Sequence, residues 1–304
     1  MDFGNVDLVN GGPYTGTATL TYSCENDTNQ WQYMRLCFNI GDGSASIDSG
    51  GNRWNPRILR IPAGNEMNFQ LYQGSTGNIW GSTTQVISDA YDVVVKMPPR
   101  LGRNTPSVTP GTYNMRGVIG PGQAALPGGR YTSNFGGNHT AFRYTAAFDS
   151  ENAPGSCNSA TNNGPAFGFN VYANVYKSCV VSADPLDFGT VNGIPSSTNI
   201  DSQTTIRVNC TAATAYRVLL VMSSNSPTGE SNMKGVTAGN PDTVPYKLYQ
   251  NAGRNQPWGN QTDNTPTGTG TGANQELKVY GRVPGLPNVR PDDYRDTVTV
   301  NVTY

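Results

Sequence analysis

The sequence predicts an all-β chain of two tandem antiparallel sandwiches, and three observations carry that prediction. Short segments of alternating apolar and polar residues are separated by Gly, Pro, Asn and Ser turns, with no sustained helical period. Aromatics make up 10% of the chain and Val and Thr are plentiful, with 36 Gly, 21 Pro and only 36% hydrophobic residues, a composition suited to thin sandwiches. An internal repeat also divides the 304 residues into two parts near the ~150-residue domain prior.

The repeat runs in chain order. Met1-Asp2-Phe3-Gly4-Asn5-Val6 returns as Leu186-Asp187-Phe188-Gly189-Thr190-Val191. The alternating strand Leu20, Tyr22, Cys24 returns as Ile206, Val208, Cys210, and the strand Tyr33 to Phe38 as Tyr216 to Val221. Phe69 to Gln73 and Trp80-Gly81 match Tyr246 to Gln250 and Trp258-Gly259. Lys96-Met97-Pro98 and Tyr113 match Arg282-Val283-Pro284 and Tyr294. Domains at 1–177 and 178–304 follow, each reading as an immunoglobulin-like sandwich. The first carries an insertion at about 116–165, before its last strand at Phe167 to Tyr176. The second ends on Val298, Val300, Val302 and Tyr304, one apolar face of a strand that no further strand follows. Such an edge is either already paired or awaits a partner strand from another chain.

Composition excludes several function classes. Charged residues are 13% of the chain and the formal net charge is −1, so no cationic field draws nucleic acid or an anionic membrane. A single histidine, His139, rules out a His-rich metal site and reads as a structural or surface residue. No run approaches the roughly 20 apolar residues of a membrane span. Asp42-Gly43-Ser44 with Asp48 to Asn52 fits no calcium-ligand spacing and reads as a solvated turn. Thr265 to Gly272 lacks the lysine and the strand–turn–helix context of a phosphate loop and reads as a flexible surface loop. Trp80 and Trp258 recur at matched positions and read as core or turn anchors. No cofactor, metal site or catalytic group is expected.

The five cysteines, Cys24, Cys37, Cys157, Cys179 and Cys210, include no C-x-x-C pair and read as structural disulfides of an oxidising compartment. Cys157 is a candidate partner for Cys37 or Cys24, and spacing does not choose between them. The odd count, with no signal peptide at the start, is read as the mark of a processed or truncated chain. A counterpart of Cys179 in the first repeat would fall upstream of residue 1.

Cys179-Val180-Val181-Ser182, Leu186-Asp187-Phe188-Gly189 and Ile206-Arg207-Val208-Asn209-Cys210-Thr211 resemble the spore coat protein U domain. So do Tyr246-Lys247-Leu248-Tyr249, Trp258-Gly259, Val279 to Pro284 and Tyr294-Arg295-Asp296-Thr297-Val298. This is the pilin family of archaic chaperone–usher pili. The match spans 179–304, and more loosely most of 1–177, a layout similar to the two-domain tip subunits of Csu-type pili. The resemblance implies an incomplete immunoglobulin-like sandwich for the second repeat, lacking its last strand. A periplasmic pilus chaperone would fill the groove, and the next pilus subunit would replace it with its own donor strand at an outer-membrane usher. It further implies a Cys179–Cys210 disulfide, a groove lined by Phe188, Leu219, Val298, Val300, Val302 and Tyr304, and an exported protein at an extracellular pilus tip.

Under that reading the first repeat is adhesive. Gly117 to Gly129 sets Val118, Ile119, Ala124, Ala125 and Leu126 between Gly and Pro punctuators, where an exposed apolar patch is expected to meet an abiotic or host surface and support biofilm formation. Trp31, in a longer loop between Cys24 and Tyr33, is a further expected contact, and residues 151–166 form a second loop of the insertion. A lectin-like adhesin on the same scaffold and a secreted hydrolase are the competing readings.

Overall fold

The computed structural model describes residues 1–48, 53–83, 89–148, 154–192, 198–285 and 289–304. The chain forms two compact units, Met1–Tyr176 and Lys177–Tyr304. In unit 1 the strands are β1 (Asp2–Val6), β2 (Tyr14–Asn26), β3 (Gln32–Ile40), β4 (Arg57–Arg60), β5 (Glu66–Gln73), β6 (Tyr91–Met97), β7 (Ser107–Ile119), β8 (Gly129–Phe135), β9 (Thr140–Phe148), β10 (Asn162–Asn163) and β11 (Phe169–Val175). They form a seven-stranded sheet ordered β1-β11-β8-β4-β5-β7-β2 and a four-stranded sheet ordered β10-β9-β3-β6. Leu36, Phe38, Leu59, Phe69, Trp80, Tyr131, Phe135 and Val171 fill the space between them.

Unit 2 contains β12 (Cys179–Ala183), β13 (Ile200–Cys210), β14 (Ala215–Val221), β15 (Glu230–Gly235), β16 (Thr243–Tyr249), β17 (Thr267–Thr269), β18 (Gln275–Val283), β19 (Tyr294–Arg295) and β20 (Thr299–Thr303). Its sheets are ordered β12-β13-β18-β16-β15-β19 and β17-β14-β20. Thr265 to Gly272, read as a flexible loop, contributes β17 and pairs with Ala215–Arg217.

The repeated motifs make the same structure twice. In both Asp-Phe-Gly segments the aspartate Oδ1 accepts the glycine N–H, from Gly4 at 2.8 Å and from Gly189 at 2.7 Å. Both glycines sit at positive φ, +67° and +76°, where a Cβ is disfavoured. The phenylalanine between them seats on a second glycine. A Cβ on Gly117 would lie 2.7 Å from the Phe3 ring, and one on Gly281 would lie 2.8 Å from Phe188. Gly117 pairs with Leu71 and Gly281 with Leu248, so the two seats are equivalent. The tryptophans anchor alike. Trp80 N donates to Leu71 O and Trp258 N to Leu248 O, both at 2.9 Å, while the indoles donate to Phe38 O and Val218 O.

These bonds correct the sequence register in two places. Phe38 corresponds to Val218, not Val221, because Ile40 N and Leu220 N bond the matched Gly81 and Gly259 carbonyls. The extra length ahead of β3 is therefore six residues, from Cys24-to-Leu36 against Cys210-to-Tyr216. The last two sequence matches also fail. Lys96 and Met97 lie in β6 of the small sheet, whereas Arg282 and Val283 lie in β18 of the large one. By pairing, β7 answers to β18, and the succession β8 then β9 answers to β19 then β20.

Cys37 is bonded to Cys157 and Cys179 to Cys210, while Cys24 is free and buried. The bridges span 120 and 31 residues. Chain-entropy arithmetic gives about 5 kcal/mol for the first and about 3.6 kcal/mol for the second. Replacing Cys37 and Cys157 together by serine is therefore expected to lower the denaturation midpoint of unit 1 more than the Cys179 and Cys210 pair lowers that of unit 2. Equal shifts in urea titrations of the two double variants would contradict this ordering.

Candidate functional site

Unit 2 is open where unit 1 is closed. In unit 1, β11 lies between β1 and β8, pairing parallel with the first and antiparallel with the second. Its inward side chains Val171, Ala173 and Val175 are buried in the core. In unit 2 the equivalent of β1 is the Leu186–Val191 segment, and the equivalents of β8 and β9 are β19 and β20. Among the described residues no strand lies between them. In its place is a cleft of about 1570 Å³ whose apolar lining includes Leu186, Phe188, Leu220, Tyr246, Val298 and Val300. β20 pairs only with β14, so its other edge is unpaired among the described residues. Its apolar row, Val298, Val300 and Val302, stays half-buried.

The geometry sorts the expected groove residues. Phe188, Val298 and Val300 line the cleft, and Val302 packs on the core beside it. Leu219 is a correction. Tyr216, Val218, Leu220 and Met222 form the inward row of β14, so strand alternation turns Leu219 to the other face. The three-residue slip had aligned it with Leu36, which does point inward. Tyr304 lies beyond β20 and is 58% exposed. Leu186, Leu220 and Tyr246 were missed, although the alternation of β14 would have found Leu220 once the register was set.

A polar rim borders the cleft. Asp296, between β19 and β20, accepts hydrogen bonds from Tyr246 Oη and Ser231 Oγ at 2.7 Å and from Thr297 N at 2.8 Å. Asp292 accepts from Asn240 Nδ2 at 2.7 Å, from Thr237 Oγ1 and N, and from Asp293 N. The Asn240 bond leads the interactions that hold its carboxyl down at about 2, against an ordinary 3.8. A depressed carboxylate contributes stability that is present above its unfolded value and lost as pH falls through its folded value. Unit 2 is thus expected to lose urea resistance between about pH 4 and pH 2, and Asp292→Asn should flatten that decline. An unchanged profile in the variant would show that other carboxylates carry the acid transition.

The predicted contact loop of unit 1 does not project. Val118 and Ile119 are strand residues, because the β2–β7 ladder continues to Tyr14↔Ile119, and Ile119 is fully buried. Gly117 is the seat of Phe3 and not a turn signal. The true connection, residues 120–128, is fastened back: Gln123 Oε1 accepts from Asn68 N and Gln123 Nε2 donates to Asn68 O. Leu126 packs on the core and Ala124 is partly covered, leaving Ala125 exposed. This connection also lies at the end where β11 finishes, since Val175 pairs with Gly129.

Four of the seven large apolar side chains exposed among the described residues of unit 1 gather at its opposite end, while Ile47, Val94 and Tyr176 are exposed elsewhere. Gln32 pairs with both Met97 and Phe148, which brings the Trp31 loop, the 98–106 connection and the end of β9 together. The buried Asn26 side chain fastens two of these segments, donating to Gln30 O at 2.9 Å and Pro98 O at 2.8 Å. Arg100 N adds a bond to Thr28 O. On this scaffold Leu101 is 77% exposed, Val108 55%, Phe148 54% and Trp31 42%, with Lys96 Nζ over the Trp31 ring. Leu101 was legible, since Pro98-Pro99-Arg100-Leu101-Gly102 places it between turn residues. Phe148 was not, because only its pairing with Gln32 puts it there.

Of the weaker candidates, His139 faces Asp42, with Nδ1 3.0 Å from Oδ1. Asp48 ends the short helix after it, and residues 49–52 of the supposed turn lie outside the described residues. Residues 151–153 of the second insertion loop do as well, while Cys157 in that loop is tied to β3. No helix is long and apolar enough to cross a membrane among the described residues.

Fold and cleft together define a class: a duplicated β-sandwich protein with one closed unit and one unit left open along an apolar cleft. The chain belongs to the Spore Coat Protein U domain family, which it matches over residues 1–137 and 166–301. No curated protein sequence matches it. Among solved structures it is similar to the CsuC-CsuE chaperone-tip adhesion subunit pre-assembly complex from archaic chaperone-usher Csu pili of Acinetobacter baumannii. That likeness has 15% identity and a TM-score of 0.49, covering 99% of this chain and 98% of that one. The CupB6 tip adhesin of Pseudomonas aeruginosa is similar at 10% identity and a TM-score of 0.36, covering 96% and 87%. A chaperone-tip adhesin complex of CFA/I fimbriae follows at 9% identity and a TM-score of 0.31, covering 99% and 95%.

Proposed function

We propose that this chain is the tip subunit of a chaperone–usher pilus, attaching the cell to surfaces through unit 1 and joining the fibre through unit 2. The observation that carries the reading is the unfilled strand position in unit 2, beside the same Asp-Phe-Gly seat that is closed by β11 in unit 1. A periplasmic chaperone supplies the strand during biogenesis, and the next subunit replaces it at the usher, leaving the protein extracellular. Non-enzymatic attachment runs through the apolar end formed by Trp31, Leu101, Val108 and Phe148, which faces away from the point where the chain leaves unit 1. Large exposed apolar groups held on a rigid scaffold favour a hydrophobic abiotic or host surface over a hydrogen-bonded glycan. Adsorption of the chaperone-bound protein to polystyrene and to hydrophilic glass, alongside a glycan array, tests this. Retention on polystyrene alone supports it, and a selective glycan signal with no surface retention replaces it by the lectin reading.

A further inference from the structure

The repeat pattern reads β11 as the last strand of the first repeat, but the family match places it at the head of the second. The first family match ends at residue 137, just beyond β8, and the second begins at residue 166, ahead of β11. Yet β11 is seated wholly in unit 1. Seven of its residues pair with β8, from Phe169↔Phe135 to Val175↔Gly129, and Asp2 and Val6 of β1 pair with Tyr172 and Val175. Val171 and Ala173 have no exposed surface. Without β11, unit 1 has an Asp-Phe-Gly segment and a β8–β9 strand facing each other across a gap, which is the condition of unit 2. We infer that β11 is the leading arm of the second repeat, acting as a donor strand built into the chain that completes unit 1.

The two repeats are then the same object in two states. Each is a sandwich short of one strand; the first is closed by the arm ahead of the second repeat, and the second is open at the same position. In unit 1 the arm is covalently supplied, so closure is intramolecular and its effective concentration does not depend on assembly. This fits the different fates of the matched segments: Phe3 lies over Gly117 in a filled core, and Phe188 lies over Gly281 at the wall of a cleft. The Cys37–Cys157 bridge and the β10–β9 pairing fix the chain ahead of the arm, so the short run from Pro165 to Gly168 leads it into place. The inference deepens the strand-acceptor reading of unit 2 but is tested in unit 1, so either can fail alone.

A protease site inserted between Gly164 and Pro165 of the full chain tests it. After cleavage the arm is joined covalently only to the 165–304 fragment, because the Cys37–Cys157 bridge lies wholly within 1–164. The cleaved fragments are expected to co-elute and to separate only in denaturant. A fluorescent peptide of residues 165–177 should enter the cleaved chain on prolonged incubation, releasing the 165–304 fragment. A Val171→Arg peptide should not enter, and a Tyr172→Thr peptide, altered on the outward face, should. The inference is overturned if the fragments part on cleavage while 1–164 keeps its cooperative thermal transition, because β11 would then be a dispensable cover. Equal entry of the Val171→Arg peptide would overturn it too, since the inward row would not be what is recognised.

Discussion

Substituting Leu101 and Phe148 together by aspartate is expected to cut attachment to an apolar surface by far more than tenfold. Both side chains are more than half exposed at the end of unit 1 built around Asn26, so they cost little to replace in the fold. If that end buries about 300 Å² of apolar surface, the gross gain is roughly 7 kcal/mol at about 25 cal/mol/Å². Each tenfold in affinity is only about 1.4 kcal/mol, so losing half of the patch and desolvating two carboxylates removes most of the binding. The matched control is Ala125→Asp, which is exposed in the 120–128 connection at the other end. It should leave attachment unchanged, because that connection is pinned to Asn68 and lies where β11 ends. Quantitative adsorption of chaperone-bound protein reads both. Loss of attachment in Ala125→Asp with retention in the Leu101 and Phe148 variant would return the contact to the loop that composition alone points to.

The second large effect is expected at the cleft of unit 2. Val298→Arg or Val300→Arg should abolish the stoichiometric complex with a periplasmic chaperone, since each sets a charge on a half-buried apolar wall that an incoming strand must cover. Leu219→Lys, on the outward face of β14, should leave the complex intact. Strand binding also stabilises by mass action. At a strand concentration about 100 times Kd the gain is about 2.7 kcal/mol, so unit 2 should melt later in the complex and unit 1 should not move. Co-purification of tagged chaperone with each variant, followed by thermal unfolding, gives the answer. A Val300→Arg chain that still binds stoichiometrically would place the strand elsewhere.

Much of the fold was legible because β-sandwich information is local. Period-2 alternation marked β2 and β13, and the Asp-Phe-Gly repeat marked two matched turns, since only glycine takes the positive φ there without cost. The recurring tryptophans were rightly read as anchors, because a buried indole needs both a large pocket and an acceptor. What failed was register and exposure. Coincident tyrosines at 33 and 216 and leucines at 36 and 219 hid a three-residue slip, which only the bonds to Gly81 and Gly259 set straight. Gly117 reads as a turn residue in sequence, yet it is a glycine because a phenylalanine from β1 rests on it. One glycine code serves a turn and a close approach equally well, and sequence spacing does not distinguish them.

The sequence by itself determined that this protein is β throughout, duplicated, nearly uncharged and built on structural disulfides, since composition, alternation and repeat are properties of residues read in order. Tertiary structure alone decided which repeat is closed and which is open. It set Cys157 on Cys37, left Cys24 free, and moved the exposed apolar end from the 117–129 segment to Leu101 and Phe148 beside Trp31, which the sequence had already named. The reason is that strand partnership is a long-range property. β11 pairs with β1 across some 170 residues, and no local pattern records whether the position beside a strand is filled.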